Sequence, residues 1–178
     1  MRNKSTFTFL SLALFCSLFF TSINLSFSQE QDIYELTVND FDNKNFKQAK
    51  NSNESNRSEF YSLSQELHTV EYYQKNKLSN KFGNESLVKI NIEDIESLNV
   101  LFQNNSKFKD VKLVTIVLNS QNDFNALLNL AEITHFNNLK YLYIKCKFNC
   151  KEQDIKKFIK TSNSNNKVRI FYTIVSPS

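Results

Sequence analysis

Large apolar residues recur through the second half of the chain on one spacing, first, fourth and sixth in a run of six. Leu87, Ile90 and Ile92 fit it, as do Val111, Val114 and Ile116, and Leu139, Leu142 and Ile144. A fourth copy begins with Lys167 and continues with Ile170, Tyr172 and Ile174. The copies start at residues 87, 111, 139 and 167, so they are 24, 28 and 28 residues apart. A fixed period of this length is the mark of a repeat architecture. Within each copy the last apolar residues alternate with others, which is strand spacing.

The segments between the copies change period. Ile95, Leu98, Leu101 and Phe102 form one stripe at helical steps, Phe124, Leu127, Leu128 and Ala131 a second, and Ile155, Phe158 and Ile159 a third. Ser120 and Asp123 offer N-cap chemistry to the middle helix, and Asp94 falls in the first turn of the one before. Alternating strands and helices with short connections predict parallel strands joined by right-handed crossovers. Each strand then presents two sets of side chains. Leu142, Ile144 and Cys146 share one face, and Tyr141, Tyr143 and Lys145 the other. The second face continues with Thr115 and Val117 on one neighbour and with Phe171 and Thr173 on the last strand. It is mixed, whereas a sheet covered on both sides reads as apolar on both. The expectation is an α/β solenoid with helices on one face and an open, partly aromatic strand face on the other.

The run "FNNLKYLYIKC" (135–146 less its first residue) carries a Leu-x-x-Leu-x-Ile core and resembles a leucine-rich repeat. The resemblance extends over residues 84–178, with one good copy and three degenerate ones, and Cys146 falls one position early for the usual Asn or Cys. It implies a short array of parallel strands acting as a non-catalytic binding scaffold whose strand face is the contact surface. A fold by itself assigns no reaction.

Ahead of the array, residues 32–38 alternate as a short strand does, and residues 39–58 are rich in Asn, Lys, Ser and acids, a flexible linker by composition. Phe60, Leu63, Leu67 and Val70 then recur at helical steps, predicting an amphipathic helix after Ser58 that caps the first strand. The first residues read differently. Arg2 and Lys4 precede an apolar run over residues 7–20, and small residues lead to a break after Ser28. That is the pattern of a cleaved secretory leader, 1–28, and predicts a secreted or periplasmic protein with no span in the mature chain. The organisation expected is therefore leader 1–28, an N-terminal strand, linker and capping helix over 29–83, and the repeat over 84–178.

Composition sharpens three points. The chain of 178 residues has one glycine, Gly83, and one proline, Pro177, so asparagine must serve many of its turns. Its 22 basic and 18 acidic residues give +4; loss of Arg2 and Lys4 leaves 20 against 18, or +2, too dispersed to predict nucleic acid as a partner. Loss of the leader also removes Cys16 and leaves Cys146 and Cys150. An even pair in an exported chain reads as a disulfide, with two free thiols as the alternative; a zinc site needs more ligands than this pair supplies. With a single glycine neither a G-x-S-x-G turn nor a nucleotide loop can form, and His68 and His135 stand outside any catalytic pattern. The expectation is no cofactor and no metal, with Tyr141, Tyr143, Lys145, Thr115, Val117, Phe171 and Thr173 contacting a protein or glycan partner. A small extracytoplasmic hydrolase and a structural accessory subunit are the rival readings.

Overall fold

The computed structural model describes residues 33–37, 52–160 and 168–175, with side chains of the first helix from Arg57 onward. The expected leader, linker residues 39–51 and the polar loop at 162–166 lie outside the described residues. Nine strands are described: β1 (Ile33–Glu35), β2 (Val70–Gln74), β3 (Lys77–Phe82), β4 (Lys89–Ile92), β5 (Leu113–Leu118), β6 (Leu128–Asn129), β7 (Tyr141–Cys146), β8 (Ile159–Lys160) and β9 (Arg169–Ile174). Helix α1 (Ser52–Gln65) lies between β1 and β2, and α2 (Glu152–Phe158) between β7 and β8.

Seven strands form one sheet in the order β1-β9-β7-β5-β4-β2-β3. Every neighbouring pair is parallel except β2 with β3. The register follows the sequence repeat: Ile90, Val114, Leu142 and Ile170 lie side by side, and so do Ile92, Ile116, Ile144 and Tyr172. These side chains are buried and pack against Leu98, Leu101, Phe108, Leu128, Ile155 and Phe158 from the connections. Burial of such residues supplies the main favourable term in folding.

The connections are shorter and tighter than expected. Among the described residues of the connections only α2 is an α-helix; Ile95–Phe102, Ser106–Asp110, Gln121–Asn125 and Leu130–Glu132 are 3-10 helices. A unit that must lay down a strand and return within 24–28 residues leaves little room for a full α-helix, and 3-10 turns serve as compact connectors. The capping residues do form. The Asp94 carboxylate accepts from the Ser97 N–H at 2.9 Å, and Asp123 accepts from the Ser120 N–H and hydroxyl. Beyond the 3-10 turns, β6 and β8 pair in parallel as a small second sheet.

Two further expectations change. The helix predicted from Ser58 through Tyr73 stops at Gln65, and Val70 to Gln74 is β2. Val70, Tyr72 and Tyr73 favour an extended chain, and Lys75 and Asn76, both at positive φ (52° and 59°), turn it directly into β3. Two such residues between strands make the tight turn whose twist suits a hairpin. The first strand of the array, β4, is therefore flanked by a strand rather than by a helix. Helix α1 instead crosses the opposite face of the sheet, so the expectation of helical cover on one face only is overturned. Phe60 and Leu63 pack there with Leu36, Leu113, Tyr141, Tyr143 and Phe171 as a second buried cluster. The Lys89 ammonium donates to the carbonyl of Glu66 just past the end of α1 at 3.1 Å, a cation where the helix dipole is negative.

Candidate functional site

The strand face proposed as a contact surface is covered. Tyr141, Tyr143, Phe171, Thr115 and Val117 are all buried, while Lys145 and Thr173 are half-buried. Phe60 is the centre of the cover: its ring stacks on Phe171 at 4.1 Å and meets Tyr143 and Tyr141 edge-on at 5.3 and 5.7 Å. Aromatic pairs in these arrangements gain beyond simple area burial. The Tyr141 hydroxyl donates to Glu59 at 2.9 Å, and Glu59 also pairs with Lys140 at 2.7 Å. Burial alone would raise the Glu59 carboxyl; hydrogen bonds from Lys140 and Tyr141, with the nearby positive charges, outweigh it and hold the group below its ordinary range. Lys145 lies over the Tyr143 ring at 5.2 Å, its ammonium pushed down by burial. Thr173 donates to the carbonyl of Leu36 at 2.9 Å. The seven residues thus do assemble on one face, and what they contact is mostly this chain.

Cys146 and Cys150 are also brought together, both buried and both free. Their sulfurs are 2.8 Å apart, in contact but unbonded, so the expected disulfide is not formed in this structure. Burial raises both thiols, which disfavours the reactive thiolate. The His68 Nε2 is buried with no hydrogen-bond partner among the described residues. Among the described residues, no three His, Cys, Asp or Glu side chains are grouped to hold a metal ion, and no helix is long and apolar enough to cross a membrane.

The surface that is open lies at the edge of the sheet. All six residues of β3, Lys77-Leu78-Ser79-Asn80-Lys81-Phe82, are exposed, including Leu78 at 51% and Phe82 at 54%. Leu67, just ahead of β2, is wholly exposed. One side of β3 pairs with β2, and among the described residues no strand pairs with its other side. Such an edge presents unpaired N–H and C=O groups to any incoming strand.

The hairpin that carries this edge is held by specific anchors. The Lys75 N–H donates to the Asp94 carboxylate at 2.7 Å and the Asn76 N–H to the Ser97 hydroxyl at 2.9 Å, tying the turn to the start of the 3-10 helix Ile95–Phe102. Burial would raise the Asp94 carboxyl, but hydrogen bonds from Lys75 and Ser97 bring it below its ordinary value. At the other end Gly83 adopts φ +85°, and a Cβ there would come within 2.9 Å of the Thr69 Cα. The missing side chain lets β3 finish against the start of β2.

The spacing of apolar residues does not predict the β2–β3 hairpin. Its signals were present in the Asn76 turn position and the lone glycine at 83, but Val70 also continued the helical spacing of Phe60, Leu63 and Leu67 and masked them. No protein-family profile matches the chain, and no curated protein or solved structure is detectably similar to it.

Proposed function

We propose that this chain is an exported, non-catalytic binding module of leucine-rich-repeat-like construction, and that it contacts a protein partner at the outer edge of β3. The construction is supported by four repeat copies that align in sequence and lie in matching register on consecutive parallel strands. Export is supported by the positive head and apolar run ahead of Ser28. The observation that carries the contact surface is β3 itself: six exposed residues with one side unpaired among the described residues, on a hairpin tied through Asp94 and Ser97 to the 3-10 helix Ile95–Phe102. A strand added there gains main-chain hydrogen bonds together with apolar contact at Leu78 and Phe82.

A photo-crosslinking residue at Ser79, compared with one at the exposed Leu127 just ahead of β6, tests this in the organism's own envelope or secreted fraction. Adducts at position 79 that are absent at 127 are expected. Adducts of equal yield at both positions, or at 127 alone, would refute the edge as the contact surface.

A further inference from the structure

We infer that the β3 edge accepts an acidic, extended segment of another protein by strand addition. This deepens the reading above and rests on it. Lys75, Lys77 and Lys81 lie within eight residues of chain, and residues 75–82 contain no acid. All three lysines are exposed, and the ion pairs Lys140–Glu59 and Lys156–Glu152 do not draw on them. Two carboxylates lie near the hairpin: Glu71 stands opposite Lys81 in the ladder but is buried and accepts from the Tyr73 hydroxyl at 2.7 Å, and Asp94 holds the turn and interacts with Lys75, which leaves Lys77 and Lys81 as the charges the edge presents.

Lysine on a bare edge is a common device against edge-to-edge pairing. Here it selects. A second copy of β3 would bring lysines against lysines across a new ladder, and like charges on neighbouring strands destabilise it. An acidic strand meets the same lysines as partners, so the edge discriminates by sign as well as by shape. The β2–β3 ladder shifts register between Tyr72 and Tyr73, which puts Leu78 on the face of Lys81 and Phe82 on the face of Lys77, so each face of the edge offers a lysine with an apolar neighbour. The Tyr72 ring, edge-on to Phe82 at 5.7 Å, supports that aromatic against the sheet.

The test uses two labelled ten-residue peptides, one repeating Glu-Glu-Val-Val and the other Lys-Lys-Val-Val so that both faces of the added strand carry charge, titrated against the exported chain and followed by fluorescence anisotropy and amide exchange. The acidic peptide should bind, slow exchange across residues 77–82, and weaken as salt rises through roughly 0.1 M to 1 M, where screening shortens from about 10 Å to 3 Å. Lys77→Glu with Lys81→Glu should lose tenfold or more of that affinity and gain affinity for the basic peptide; unchanged melting confirms that the fold survives. Protection of 77–82 by both peptides alike would overturn the charge selection while leaving the edge as a contact site. Protection of 77–82 by neither would overturn both readings. A concentration-dependent dimer of the wild type that protects 77–82 would assign the edge to a second copy and overturn the inference.

Discussion

Gly83 is the residue at which a single atom decides the geometry of the open edge. Alanine there must adopt a left-handed backbone and meet the Thr69 backbone at 2.9 Å. Residues held in such regions cost about 1–3 kcal/mol, so Gly83→Ala should lower stability by at least that much in urea unfolding, with loss of amide protection first in β3. The cysteines give a second prediction at this scale. Because burial raises both thiols, reduced native protein should resist alkylation near neutral pH and react at both positions once unfolded. The two thiols, free in this structure, have sulfurs 2.8 Å apart and need only lose two electrons and two protons to bond; in an oxidising compartment exchange with a disulfide of a carrier protein takes these up and forms the Cys146–Cys150 bond, so chain recovered from there and then unfolded should show no reactive thiol. Two reactive thiols in that sample would rule the bond out. The tyrosines follow the same logic of burial. Tyr141→Ala with Tyr143→Ala, a natural test of an open strand face, would instead excavate the cluster around Phe60 and report lost stability rather than lost binding.

Among the elements, α1 is held chiefly by Phe60 and Leu63, since its exposed side is polar. Phe60→Ala removes a wholly buried ring and should cost about 3–5 kcal/mol, measured by denaturant unfolding, with increased amide exchange along α1. The hairpin depends on a carboxylate. The Asp94 carboxyl is held below its ordinary value of 3.8, so its contribution is complete above that value and is lost as pH falls through the lower folded one. Protection of the Lys75 amide should therefore fade in acid below roughly pH 4 and be weak at all pH in Asp94→Asn. Protection that is independent of pH, with the variant like the wild type, would show that the turn is held by other contacts. The 3-10 helices, too short to nucleate alone, draw their stability from the core beneath them.

For the whole molecule the decisive feature is that both apolar clusters share the same strands. Leu142 and Ile144 face one cluster while Tyr141 and Tyr143 face the other, within six residues of β7. Loss of either side exposes the sheet that supports its partner, so thermal unfolding should be a single transition in which far-ultraviolet dichroism and tyrosine fluorescence coincide. Two separate midpoints would show that α1 and its cluster melt independently.

Much of the array was legible along the chain. The spacing of Leu87, Ile90 and Ile92 and its later copies determined the strands, their parallel order and even their register, because side chains of period two must share a buried face. Asp94 and Ser120 marked helix starts because their capping bonds are local. What covers the second face was not local. Glu59 reaches Tyr141 across 82 residues of sequence, and Glu35 reaches Tyr172 across 137. Strand alternation tells which side chains lie together and is silent about which distant segment settles on them. Mixed composition suggested water over Tyr141, Tyr143 and Phe171, and Phe60 supplied a lid. The tertiary structure alone decided that the sheet is buried on both faces, that β1 and β3 are its edge strands, and that among the described residues nothing pairs with the outer side of β3, since each depends on where a remote stretch of chain finds its lowest free energy.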